Sequence, residues 1–129
     1  MFSKLTVRPT LPSADMNRAK KFYSEKLGLT PSGETPDGGV IYKCNGSDFS
    51  LYPSRYAGTA KNTAVGFETD NLERDVKELR NRGVKFEEYD MPNLKTVDGI
   101  AHFGEDKAAW FKDREGNIVG LTEARRQKR

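Results

Sequence analysis

The chain of 129 residues has one cysteine, Cys44, and one histidine, His102. A lone cysteine excludes an internal disulfide. Cys44 follows Tyr42 by two positions and precedes "NGSD", so it reads as a small apolar residue filling a strand face. No histidine lies near it in sequence and no nucleophile motif surrounds it. No apolar run approaches the roughly 20 residues of a membrane-spanning helix, and the N-terminus lacks the apolar stretch of a secretory signal. The expectation is a soluble cytoplasmic protein with no membrane partner. A Gly-rich phosphate loop is also missing, because "PDGG" and "NGSD" are hairpin turns and neither opens a helix after a strand. Excess charge of one sign is scarce too. The net charge of +3 comes from the tail "EARRQKR", which holds four of the 22 basic residues and leaves 18 against 19 acids in residues 1–124. A short charged terminus of this kind is a solvated end, so no nucleic-acid partner is expected.

What is present is organised in two similar halves. In "KLTVRPTLPS", Leu5, Val7 and Leu11 occupy odd positions and Thr6, Arg8 and Thr10 even ones, the period-2 pattern of a strand with two unlike faces. Asp15 is placed to cap a helix with an apolar stripe of Met16, Ala19, Phe22, Tyr23 and Leu27, and Gly28 stands where a left-handed stop belongs. Three short strands follow, near 29–35, 39–44 and 48–53. The order then repeats. "TAVGFETD" reads as a strand, and "DNLERDVKELRNRG" as a helix with Leu72, Val76 and Leu79 on one face, Gly83 as its stop, and capping-box spacing at Asp70 and Glu73. Strands near 84–89, 107–112 and 117–122 complete a second βαβββ unit. The spacing from Asp15 to Gly28 equals that from Asp70 to Gly83, which points to an internal duplication. One domain over 1–124 is expected, with modules at about 1–55 and 61–124 and a basic tail at 125–129. The second half carries an extra stretch, "YDMPNLKTVDGIAHFGEDK", read as a turn and flap with Gly99 and Gly104 as flexible points or as an ordinary surface loop. His102 lies there among Asp98, Glu105 and Asp106 and reads as a solvated loop residue, with no ligand-spacing motif around it.

Three stretches, "ADMNRAKKFYSEKLGL", "VGFETDNLERDVKELRNRGVKF" and "AAWFKDREGNIVGLTE", in that order, resemble the glyoxalase/bleomycin resistance/extradiol dioxygenase (vicinal oxygen chelate) superfamily. The resemblance covers nearly the whole chain and implies an α+β fold, in which two βαβββ modules form one curved mixed-sheet cup with helices outside and a ligand site within. Metal-dependent members place four ligands on the first and last strand of each module. The matching positions here are Arg8, Ser50, Ala64, or Thr63 if the register moves by one, and Gly120. A guanidinium, a methyl group and a bare backbone do not ligate a divalent metal, so neither a metal nor a cofactor is expected. The resemblance also implies a homodimer.

By parity Arg8 points into the cup, where it requires either an anionic or carbonyl-bearing ligand or an internal ion pair with Glu68 or Asp48. Ser50 and Tyr52 share parity with Asp48 and line the same cup. The tyrosine ring is suited to stack on a ligand or simply to fill space. Trp110 and Tyr42 complete the candidate ligand-binding set, with core packing as the alternative for each. The reading is a metal-free protein that binds a small organic molecule, anionic or aromatic. Its alternative is a lyase, isomerase, transferase or dioxygenase with an atypical active site.

Overall fold

Leu11 is buried, but Leu5 and Val7, expected beside it in one strand, are exposed. In the computed structural model, which describes residues 1–124, strand β1 runs only from Thr10 to Ser13. The tail expected at 125–129 lies outside the described residues. Residues 5–8 have strand-like alternation but pair with no strand among the described residues, and Pro9 has no N–H to give a ladder. Its carbonyl accepts from the Ser50 N–H at 2.9 Å, and pairing begins there.

Helix α1, Met16–Leu27, forms as its caps dictate. The Asp15 carboxylate accepts from the Arg18 N–H at 3.0 Å, and Gly28 closes the helix at φ 70. Helix α2, Leu72–Asn81, is capped by Asn71, whose side chain accepts from the Arg74 N–H at 3.0 Å, one residue later than the expected cap at Asp70. Strands β2 (Gly33–Glu34), β3 (Val40–Cys44) and β4 (Ser47–Pro53) join β1 in a sheet ordered β1-β4-β3-β2, with β1 and β4 parallel.

The second sheet comprises β5 (Thr63–Glu68), β6 (Asp90–Met91), β7 (Leu94–Val97), β8 (Ile100–Phe103), β9 (Asp106–Lys112) and β10 (Ile118–Glu123), ordered β5-β10-β9-β8-β7-β6. The extra stretch is therefore neither a flap nor a loop but a meander that widens this sheet. Asp98 and Gly99, at φ 55 and 82, form the two-residue turn that folds β7 onto β8. The strand expected near 84–89 is reduced to one bridge, Phe86 to Phe111. It meets β9 at 110–111, whereas β8 pairs with β9 at 106–108.

The helix-facing sides of both sheets meet in a shared core. Tyr23 and Tyr42 stack with centroids 5.4 Å apart, and Phe49 of β4 meets Phe67 of β5 edge-on at 5.7 Å. Leu27 of α1 packs on the Val84, Phe111 and Val119 cluster of the other half. The architecture is α+β: two mixed sheets and two helices.

Candidate functional site

Strand parity sorts the candidate residues. On β4, Phe49 and Leu51 belong to the helix-side core, which turns Asp48, Ser50 and Tyr52 to the open face, where Ser50 is buried and Asp48 and Tyr52 are half-buried. On β9, Ala109 and Phe111 pack under α2, so Trp110 and Ala108 face the open side. Tyr42 is the exception among the candidates. It pairs with Phe49 across β3 and β4 and is fully buried between Tyr23 and Phe49 on the helix side, so it does not reach the open face. Its hydroxyl has no partner among the described residues, and burial pushes its pKa up to about 12.

Arg8 lies beside the open face of the first sheet and donates to both Asp48 oxygens, at 2.8 and 3.3 Å. The ion-pair partner is thus Asp48 rather than Glu68, and the pair is solvent-exposed rather than internal. The hydrogen bond to Asp48, with its charge, raises the Arg8 pKa further. The bond from Arg8 outweighs mild desolvation and lowers that of Asp48, aided by the charges of Arg8 and Lys43. The guanidinium is therefore held by a carboxylate and still reachable by a ligand.

The second sheet adds an aromatic corner. Trp110 opposes Gly120 across β9 and β10, and Tyr89 stands edge-on to the indole with centroids 5.5 Å apart. A side chain at Gly120 would meet the Trp110 ring nitrogen and the Thr63 methyl, each 3.3 Å from its first carbon. Pairing between β5 and β10 shifts by one between Ile118, opposite Thr63, and Val119, opposite Val65. Tyr89 escaped the sequence reading. Its strand did not form, and only its place at the end of "EEY" marked it.

Of the positions where metal-dependent relatives have ligands, Ser50 and Ala64 lie by parity on open faces, Gly120 is a bare backbone and Arg8 is tied to Asp48. That set offers one hydroxyl and no imidazole or free carboxylate, and does not fit a divalent cation. Among the described residues, no group of three or more His, Cys, Asp or Glu is placed to hold one. His102 is exposed on β8.

The seam between the halves is built from buried polar groups. Glu115, in the turn between β9 and β10, accepts from the Ala14 and Asp15 N–H groups at 2.9 and 3.1 Å and from Arg18 at 2.8 and 3.0 Å. It thereby supplies an anion to the N-terminus of α1 from the other half of the chain. Burial pushes the Glu115 carboxyl up, but Arg18 and the two N–H groups together hold it below the usual range. Next to it the Asp113 carboxylate accepts from the Tyr23 hydroxyl at 2.7 Å and from Asn117, whose amide also donates to the Pro12 carbonyl.

This arrangement of two sheets and two helices is the fold of glyoxalase-like proteins. Solved structures with it include the glyoxalase family protein from Enterococcus faecalis, 21% identical, with 95% of this chain and 100% of that one covered and a TM-score of 0.69. The lactoylglutathione lyase from Agrobacterium tumefaciens is 17% identical over 98% of each chain, with a TM-score of 0.69. TnmS3, an antibiotic binding protein from Streptomyces sp. CB03234, is 23% identical over 93% and 97%, with a TM-score of 0.59. No curated protein matches this chain in sequence. The family model of the Glyoxalase/Bleomycin resistance protein/Dioxygenase superfamily matches residues 6–121, and the chain belongs to that superfamily.

Proposed function

We propose that the protein binds a small organic molecule against the open faces of its sheets and changes no bond in it. The observation that carries this reading is the corner where the Trp110 ring lies beside the bare backbone of Gly120 and Tyr89 stands edge-on to that ring. Trp110 and Tyr89 stack on an aromatic or otherwise flat ligand, while Arg8, Ser50 and Tyr52 on the first sheet supply a cation and hydroxyls. Tyr42 is left out of this set because it belongs to the core. The ligand is aromatic, with an anionic or carbonyl group for Arg8. The antibiotic-binding description of TnmS3 supports the same class of function. An enzyme of the lyase kind would need another catalytic arrangement, since the metal positions hold no donor set.

A homodimer completes the site in this reading. Ala64, Gly66 and Glu68 are exposed on the open face of β5, and Phe2, Leu5 and Val7 project from the N-terminal arm. A second copy would cover the apolar Ala64, Phe2, Leu5 and Val7 of this surface. No helix is long and apolar enough to cross a membrane among the described residues, and residence in the cytoplasm is part of the proposal.

Trp110 is the only tryptophan, so its fluorescence tests the site directly. A panel of aromatic carboxylates and antibiotics is expected to include a compound that changes the emission saturably, and Arg8→Lys is expected to weaken it. Turnover of that compound by the wild-type protein would overturn the binding-only reading, and a panel without any response would remove the site.

A further inference from the structure

We propose that the seam between the two halves, on the helix side of the sheets, is a second small-molecule site, suited to an uncharged and mainly apolar ligand. A cavity of about 360 Å³ opens there. That size falls within the roughly 300–1,000 Å³ of ligand pockets, and junctions between packed units are where such pockets concentrate. One wall is Leu27, Leu29 and Cys44, and the other is Phe67, Leu79 and Val119. Each wall comes from a different half of the chain, so no single helix or sheet face builds the site alone.

The cavity is preformed. At one end of α1, Glu115 and Arg18 lock the helix to the second half. At the other, Lys26 donates to the Arg82 carbonyl at 2.5 Å and Arg82 donates to the Lys26 carbonyl at 3.4 Å. These reciprocal ties hold the C-terminal ends of α1 and α2 at a fixed separation, with the apolar walls between. Most charges at the mouth are already engaged, and Glu68, exposed and without a partner among the described residues, repels anions. Arg82 binds Glu78 at 3.0 Å, and Asp75 is bonded by Thr69 and Arg74. An anion would face Glu68 and a cation would gain only a weak, solvent-screened pair with it, whereas an uncharged ligand need only enter. The Cys44 thiol, kept protonated by burial, adds a soft, weakly polar surface to the wall.

The two sites share the Gly120 backbone but not their side chains, because Phe111 lines the cavity while its neighbour Trp110 faces the other way. Cys44 is the only cysteine, which makes its alkylation by N-ethylmaleimide a reporter of occupancy. Naphthylmethanol is the probe. At ten times its dissociation constant it is expected to slow alkylation by about tenfold, while naphthoate and naphthylmethylammonium have much weaker effects. Leu79→Trp, which fills the cavity, is expected to abolish the protection. If that variant does not fold, Leu29→Phe serves the same purpose. Trp110→Phe is expected to leave the protection intact even where it removes ligand capture on the open face, so the two sites fail separately. An alkylation rate unmoved by the probe, or protection that survives filling of the cavity or vanishes with Trp110→Phe, would overturn the proposal. Equal protection by the charged analogues would overturn the ligand class.

Discussion

The two ends of α1 meet the second half of the chain in opposite ways. At the N-terminal end the junction is polar and closed, with the Glu115 side chain taking four hydrogen bonds and Asp113 gripping Tyr23 and Asn117. At the C-terminal end it is apolar and open, with Leu27 and Leu29 facing Leu79 and Val119 across a cavity. A buried carboxylate tolerates no missing donor, so its surroundings must close around it. Apolar side chains lack that directional demand, and a gap between them costs only lost dispersion and transfer energy. The turn that carries Glu115 is itself packed tightly. Gly116 sits at φ 88, and a side chain there would come within 2.8 Å of the Gly58 backbone.

The polar end is the place to break the comparison. Glu115→Ala removes the acceptor for two helix N–H groups and for Arg18, and is expected to lower unfolding free energy by about 2–4 kcal/mol in chemical denaturation. Trimming the apolar end at Leu79 should cost less, because that side chain already borders empty space. A loss at Glu115 within error of zero would show that the polar clasp does not hold the halves together.

A smaller effect follows from pH. The Glu115 carboxyl lies below its unfolded value in the folded state. Its contribution is therefore complete above the unfolded pKa of about 4.3 and is lost as pH falls through the folded value. Melting temperature should drop in acid, and Glu115→Gln should flatten that dependence while lowering stability at neutral pH. An acid profile identical in wild type and Glu115→Gln would assign the sensitivity to other carboxylates.

In the apolar core, Tyr42→Phe deletes a buried hydroxyl that has no partner among the described residues. The variant is expected to match the wild type or gain up to about 1 kcal/mol, with unchanged quenching of Trp110 by any open-face ligand. A clear loss of ligand binding would return Tyr42 to the site. The least effect is expected at Arg8. Its bond to Asp48 is solvent-exposed, so Arg8→Ala should leave the thermal melt unmoved while weakening anionic ligands. A large fall in melting temperature would make the pair structural after all.

Much of this molecule is legible one element at a time. The cap at Asp15, the stop at Gly28 and the stripe of Ala19, Tyr23 and Leu27 fix α1, because each signal acts within a turn or two of its own position. Alternation along β4 likewise separates Ser50 and Tyr52 from Phe49 and Leu51. Alternation in "KLTVRP" is just as regular and yields no strand, since a strand exists only where a neighbour pairs with it. The meander at 94–103 carried its turn signal, Asp98-Gly99, in plain view. Its low hydrophobicity made it read as a loop until the free edge of β9 supplied a partner.

By itself the sequence determined the two helices and the superfamily, which rest on short-range spacing and short motifs. Only the tertiary structure decided that Tyr42 faces the core, that Asp48 holds Arg8, and that Tyr89 stands against Trp110. It alone joined Glu115 to Ala14 across 101 residues. Periodicity states that a strand has two faces, but which face is buried depends on what the rest of the chain packs against it, and no local pattern encodes a contact at that separation.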